Sequence, residues 1–405
     1  MFRVALSGLN AASSDLRVTA NNIANVNTTG FKGSRAEFGD VFAVSPYGVG
    51  RNAIGAGVQL SRVAQQFGQG NIEFTENSLD LAINGEGFFT LSQNGALSYS
   101  RAGAFGVDRE GFVVNARGQR LQVNPPVAGA AGFDTGRLTD LQLQTTDSPP
   151  QATTSVALGL TLPGSATAPA LTPFNATDAR TYNHTTSITV YDSLGVSHVA
   201  SFYFVKTGTA NQWQVHSFVD GTAVGAAQNL TYSNSGALTA PAGGLITLPA
   251  HTLTNGAAPL NIELDLSNSA QFGERFATNS LTQDGYATGR LVGVDVSPEG
   301  VVNARYTNGQ STPLGQISLT RFANSQGLQQ LGDTSWSETF ESGDAVRGQA
   351  GSGSFGLVQS GALESSNVDL TAQLVNMITA QRNFQANAQM ISTADQVTQA
   401  IINIR

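Results

Sequence analysis

The sequence predicts a mainly β chain with an α-helix at each end and its β-structure nested in more than one domain. Three observations predict it. Residues 1–26 and 366–405 carry apolar side chains at helical spacing, and the long stretch between them alternates with period two, broken by glycine. The third is length: 405 residues exceed one ordinary core, so about two to four domains are expected. Neither end helix can bury its stripe alone, which implies a partner helix within the molecule or between molecules.

The first helix places Phe2, Leu6, Leu9, Leu16, Ala20 and Ile23 on a 4–3 repeat, with Ser13 as its polar intrusion. That spacing is a coiled-coil seam. The helix should stop within Asn27-Thr28-Thr29-Gly30, where Gly30 suits the left-handed conformation that ends helices. Residues 31–75 are less regular, and Gly48, Gly50, Gly55 and Gly57 suggest an irregular linker or a long hairpin. From about 76 the pattern is β. Leu79–Ile83 alternates, Asn84-Gly85 reads as a hairpin turn, Phe88–Leu91 continues, and Asn94-Gly95 turns again before Leu97–Arg101. Glu110-Gly111 and Gly118 punctuate further strands up to Val123.

A composition shift marks a boundary near 145, between Pro125-Pro126 and Pro149-Pro150. Beyond it the chain is rich in Thr, Ala and Ser, with strands expected at Ser187–Tyr191, His198–Val205 and Gln212–Val219. Asp192-Ser193-Leu194-Gly195 should join the first two. After 285 the earlier style returns: Glu299–Arg305 echoes Glu110–Arg117 with one gap, read either as convergent turn-and-strand chemistry or as one β-domain split by an insertion. Gly351-Ser352-Gly353-Ser354 reads as a flexible hinge. The last helix should start near Ser365-Ser366-Asn367, which are capping types, with Asp369 in its first turn. Leu370, Leu374, Met377, Phe384, Ala388, Ile391 and Ile402 repeat the 4–3 rhythm, interrupted by Gln381, Asp395 and Thr398. Ile378, Val397 and Ile401 add a second apolar edge, so this helix suits more than one neighbour.

The expected division is therefore a terminal helical domain (1–30 plus 362–405), a linker region (31–75 plus 340–361), an inner β-domain (76–145 plus 275–339) and an outer β-domain inserted in it (146–274).

Composition excludes several function classes. Charged residues are 12% of the chain, about half the usual ~25%. The net charge is −8 and Lys32 and Lys206 are the lysines, so nucleic acid is not expected as a partner. The chain has no cysteine, which removes disulfide and thiolate chemistry. No stretch approaches the ~18–20 apolar residues of a membrane helix, so membrane insertion is not expected. The N-terminus lacks the apolar block of a cleaved secretory signal.

Catalytic patterns are missing too. His184, His198, His216 and His251 show no metal-ligand spacing. Asp80, Asp108, Asp192, Asp284 and Asp295 fall at strand ends or turns, where Asp usually serves the backbone. There is no GxSxG elbow and no phosphate loop. Neither catalysis nor a cofactor nor a metal is expected; the strongest signals concern assembly.

The terminal motifs carry a resemblance. Ser7-Gly8-Leu9-Asn10-Ala11-Ala12 and the run Asn21-Asn22-Ile23-Ala24-Asn25-Val26-Asn27-Thr28-Thr29-Gly30-Phe31-Lys32 resemble the N-terminal signature of the bacterial flagellar rod and hook proteins. Ser366-Asn367-Val368-Asp369-Leu370 and Gln381-Arg382-Asn383-Phe384-Gln385-Ala386-Asn387 resemble the C-terminal one. The signature residues are Asn21, Asn22, Asn25, Gly30, Phe31, Asn367, Asp369, Gln381 and Arg382. Gln373 departs from it, since relatives often carry an acidic residue there. The middle separates hook from rod: Tyr191–Gly195 and Gln283–Gly289 look like the hook type, and rod members are shorter.

The resemblance implies a structural subunit that polymerises into a short curved tube outside the cell, joining rod to filament as a universal joint. It implies export through the flagellar type III apparatus without a cleaved signal. It also implies as partners further copies of the chain, the distal rod, the hook cap, the hook–filament junction protein and the hook-length ruler. Polymerisation would run through the seams Phe2, Leu6, Leu9, Leu16, Ile23, Leu370, Leu374, Met377, Phe384 and Ile391. The rival readings are a distal-rod axial protein and, in another class, an extracellular β-rich enzyme or adhesin acting on polysaccharide.

Overall fold

The structure is a computed structural model that describes residues 2–42, 55–127, 129, 132–143 and 147–403. Gly48 and Gly50 lie outside the described residues, as does the boundary expected near 145. The chain divides into two compact units. Unit 1 comprises 1–145, 293–305 and 311–405; unit 2 comprises 146–292 and 306–310.

Unit 1 holds both α-helices found among the described residues, α1 (Phe2–Ala24) and α2 (Leu370–Asn403). α1 ends before Asn27, and Gly30, at φ 67°, lies beyond it. Gly30 is thus not the helix cap. It is required where the chain crosses Arg101-Ala102, because a Cβ there would strike that backbone. α2 starts later than expected. Asp369 is its cap and not a first-turn residue: Oδ1 accepts from the N–H groups of Thr371 (2.8 Å) and Ala372 (3.1 Å).

The strands Ser34–Val41 and Gly57–Gln65 pair antiparallel beside α1. The main sheet of unit 1 pairs Val301–Tyr306, Ser311–Arg321, Arg120–Asn124, Phe88–Gln93, Ala96–Ser100, Ser335–Ser337 and Gln329–Gly332 in that order. Alternation sorts its faces. Phe89, Leu91, Leu121, Val123, Ile317 and Leu319 point into one core, while Thr90, Ser92, Ser318 and Thr320 are buried on the other side. A smaller aromatic core joins Phe88, Tyr99, Phe322 and Trp336.

Asn94-Gly95 makes the expected hairpin, with φ of 52° and 86°. Asn84-Gly85 does not. Leu81–Asn84 pairs instead with Leu357–Ser360, so the chain passes from one sheet to another at Gly85. The stretch Gly351–Ser354 is a hydrogen-bonded turn and not a hinge: the N–H of Gly351 bonds Gly356 and that of Ser352 bonds Gln349. The echo between 110–117 and 299–305 has a structural counterpart. Gly111 and Gly300 both close four-residue turns at positive φ, and Val113 and Val302 behind them are buried in the same core.

Unit 2 is a two-sheet β-sandwich. One sheet pairs His184–Tyr191, Ser197–Lys206, Gln212–Val219, Gln228–Tyr232 and Leu238–Ala240, all antiparallel. The other is built on Ser155–Pro163, flanked by Glu263–Asp265 and Ala270–Phe272 in parallel and Ala277–Gln283 antiparallel. Inward residues of both sheets, among them Leu158, Leu160, Phe202, Phe204, Trp213 and Val215, fill its core. Because Ala277–Gln283 pairs with Ser155–Pro163, residues 275–292 belong with the inserted unit rather than the inner β-domain.

Candidate functional site

The two ends of the chain form the candidate assembly site. α1 and α2 pack against each other antiparallel. A Cβ at Gly8 would meet the Asn387 side chain, and two heptads further along α1 the Asn22 amide donates to Gln373 Oε1 (3.3 Å). The face α1 buries is small and polar, comprising Ala5, Ala12, Thr19 and Asn22. Gly8 leaves room for the Asn387 side chain, and the larger Leu9, Leu16 and Ile23 flank this buried face. The expected seam divides between the two sides of this face. Phe2 is 56% exposed and Leu6 42%, while Leu9, Leu16 and Ile23 are half-buried.

α2 divides in the same way. Met377, Phe384 and Ile391 lie half-buried around the fully buried Ala380. Leu370 and Leu374 are exposed, as are Val375, Ile378 and Met390. With Gly8 opposite Asn387, α1 ends near residue 393 of α2. Val397, Ile401 and Ile402 lie past that end, with 53%, 65% and 68% of their surfaces exposed. Exposed apolar side chains at this density make the helix pair the candidate for an interaction surface.

The signature residues converge on a junction at the base of the helix pair. Asn22 bonds Ser34 twice, accepting from its N–H (2.9 Å) and donating to its carbonyl (2.7 Å). Asn25 donates to Asn21 Oδ1 (2.8 Å). Asn367 accepts from the Gly33 N–H (2.8 Å) and donates to the carbonyls of Gln66 (2.7 Å) and Gly68 (3.0 Å). The Gly30 N–H donates to the Glu364 carbonyl (2.7 Å), and the Phe31 carbonyl accepts from Asn367. Gln381 and Arg382 stand apart, exposed on α2. Gln373 takes the Asn22 bond as an acceptor, a role an acidic residue would fill equally.

Beneath the junction is a buried charge cluster that the sequence reading did not foresee. Lys32 Nζ lies 2.6 Å from Glu364 Oε1 and donates to the Gly68 carbonyl at 2.8 Å. Glu364 Oε1 also accepts from the Gly70 N–H (2.9 Å). Arg101 Nε lies 3.3 Å from Glu364 Oε2, an ion pair outside hydrogen-bond alignment, since that oxygen has no hydrogen-bond donor. The rest of the Arg101 guanidinium donates to the carbonyls of Gly87 (2.9 Å) and Gly85 (2.8 Å). Lys32 and Arg101 are nearly buried and Glu364 fully so. Burial pushes the Lys32 ammonium below its ordinary value, against the opposing pull of Glu364. The sole signal in the sequence was a lysine, scarce in this chain, inside the N-terminal signature.

Asp108 serves its own turn, whereas Asp284 reaches a backbone segment remote in sequence and Asp295, within the strand Leu291–Val296, pairs with Arg305. Asp108 accepts from the N–H groups of Glu110 and Phe112, both at 2.8 Å. Asp284 accepts from those of Thr154 (2.8 Å) and Ser155 (3.0 Å). Asp192 goes further: with Asp220 it brackets His198. Among the described residues no cluster of three or more His, Asp or Glu could hold a metal ion.

Four family models match the chain. These are the flagella basal body rod protein model at 2–32, the flagellar hook protein FlgE/F/G D1 domain at 82–167, the flagellar basal body protein FlaE D2 domain at 161–286, and the flagellar basal body rod FlgEFG protein C-terminal model at 359–404. The flagellar hook protein FlgE of Escherichia coli (strain K12) is 40% identical, with 100% of each chain covered. Those of Rhizobium meliloti and Treponema pallidum are 34% and 33% identical; 100% and 99% of this chain is covered, and 98% of each relative. In fold, the chain is similar to the crystal structure of Helicobacter pylori flagellar hook protein FlgE2, with a TM-score of 0.54 and 14% identity, covering 72% of this chain and 100% of that one. Motifs at both ends, the inserted unit between them and full-length identity to these relatives agree: the chain belongs to the flagellar hook protein family.

Proposed function

We propose that this chain is the repeating subunit of a bacterial flagellar hook, a curved extracellular tube that transmits torque from rod to filament and encloses an export channel. The observation that carries the reading is the exposed apolar surface of α1 and α2. A helix pair that leaves Phe2, Leu6, Leu374, Ile378 and Ile401 in water is incomplete as a monomer. Further copies of the chain complete it, with the seam residues Phe2, Leu6, Leu9, Leu16, Ile23, Leu370, Leu374, Met377, Phe384 and Ile391 as contacts. The Asn-, Gln- and Ser-rich helix faces then suit a lumen whose uncharged wall binds passing unfolded chains weakly. The signature junction fixes the angle at which the helix pair leaves the β-structure.

In this reading the subunit leaves the cell by the flagellar type III apparatus without a cleaved signal and adds beneath a cap. It meets the distal rod at one end of the tube and the hook–filament junction protein at the other, while a ruler sets the length. Its role is structural, and we assign it no reaction.

Sedimentation of the purified chain tests the assembly surface. Wild type should form polymers that pellet, while Leu374→Asp should remain monomeric with unchanged β-sheet circular dichroism. Leu374 is 45% exposed in the single chain, so the monomer tolerates the charge. Burying it in a polymer seam costs several kcal/mol, roughly. Normal polymerisation of the variant would refute the assignment.

A further inference from the structure

The turn Asp192–Gly195 joins the strands His184–Tyr191 and Ser197–Lys206. It lies against the stem of unit 2. A Cβ at Gly195 would meet Pro150, Ala287 and Thr288, and the segments on either side of that contact pair as Ser148↔Gly289 and Gln151↔Tyr286. Through these segments the chain enters and leaves the unit.

Asp192 is fully buried. Its Oδ1 accepts from the N–H groups of Leu194 (2.9 Å) and Val196 (2.8 Å), and its Oδ2 from the Asn255 amide (2.5 Å). Oδ2 also faces His198 Nε2 at 3.2 Å. The other ring nitrogen, Nδ1, faces Asp220 Oδ2 at 2.6 Å, while Asp220 Oδ1 accepts from the Val199 N–H (2.9 Å). The His198 side chain is 10% exposed. A neutral imidazole has one N–H and one lone pair, so it would set that lone pair against a carboxylate; only the imidazolium donates to both sides.

We propose that His198 is a proton-held clasp on the stem of unit 2, closed as imidazolium between Asp192 and Asp220 and opened when the ring deprotonates. Closed, it ties together the turn, the end of the strand Gln212–Val219 and the Asn255 loop. Opened, it sets a lone pair against one of its two carboxylates. If that carboxylate is Asp192, the clasp leaves it fully buried with one donor fewer. The charged or titratable groups facing the clasp are Asp192 from the turn, Asp220 from the strand end, and His251, whose charge acts on Asp220. Burial works to lower the His198 value, and Asp220 and Asp192 outweigh it, so the ring is held above its ordinary 6.5. A raised folded-state value means the stabilisation is complete below about pH 6.5 and is lost as pH rises through the folded-state value. The stem therefore loosens on the alkaline side.

The test uses the full chain with isotope-labelled histidine, following ring resonances and amide hydrogen exchange from neutral to alkaline pH. One ring signal, absent in His198→Gln, should titrate above 6.5. The protection factors of the Leu194 and Val196 amides, corrected for intrinsic base catalysis, should fall severalfold as that signal titrates. His251→Gln should keep that fall, and Asp220→Asn should move it to lower pH. Titration of His198 at or below 6.5 would overturn the proposal, as would protection that stays level through the titration.

Discussion

Glu364 is fully buried between Lys32 and Arg101, and that arrangement makes it the most consequential single side chain at the junction. Removing its charge strands two buried cations, so Glu364→Gln should cost about 3–5 kcal/mol, read as a lowered urea midpoint for unit 1. A loss below about 1 kcal/mol would show that the carbonyls of Gly68, Gly85 and Gly87 suffice to hold the cations. The cluster was hidden in the sequence because its partners are remote: Lys32 and Glu364 are 332 residues apart. His198 was hidden for a different reason: its bracketing aspartates lie in two separate turns, 6 and 22 residues away, a spacing that matches no known pattern. The signature asparagines, by contrast, were legible as a motif, although only the structure shows that Asn22 and Asn367 act by bonding backbone.

The elements were more legible than their contacts. Alternation placed three strands of unit 2, His184–Tyr191, Ser197–Lys206 and Gln212–Val219, within a few residues, because strands buried on one face must alternate, but it missed Ser155–Pro163, on which the second sheet is built. It failed at Asn84-Gly85, where a turn signal marks a change of sheet; only the register with Leu357–Ser360 reveals this. For the end helices the periodicity was right, yet the residues α1 buries fully are Ala5, Ala12, Thr19 and Asn22, with Leu9, Leu16 and Ile23 half-buried beside them and Phe2 and Leu6 left exposed. Hydropathy patterns weigh large apolar residues and overlook small or polar ones, such as Ala5, Ala12, Thr19 and Asn22, that fill the most buried positions. Two substitutions separate the two faces. Gly8→Leu places a side chain against Asn387 and should part α1 from α2, lowering helical circular dichroism in the single chain. Leu6→Asp, at a leucine 42% exposed in the single chain, should leave its β-sheet signal intact and abolish polymer in sedimentation. Exchange of those two outcomes would assign the faces the other way.

At the scale of the molecule, nesting was legible from the composition shift and from the echo of 110–117 in 299–305. The far boundary was not, because Ala277–Gln283 returns to Ser155–Pro163 through pairing that composition does not register. The Thr-, Ser- and Gly-rich character of unit 2 supports a bending role, since small polar contacts between neighbours exchange at little cost. Excising 149–288 and closing the chain at the Ser148↔Gly289 bridge should give tubes that still assemble but are straighter in electron micrographs; loss of all assembly would refute this role.

The central claim is that this chain builds a flexible curved tube with its end helices innermost. Electron cryomicroscopy of polymers grown from the intact chain tests it most directly. The account predicts tubes of variable curvature whose inner wall is α1 and α2, with Leu374 and Ile401 buried against neighbouring copies. Straight rigid rods, or polymers with those helices on the outer surface, would contradict it.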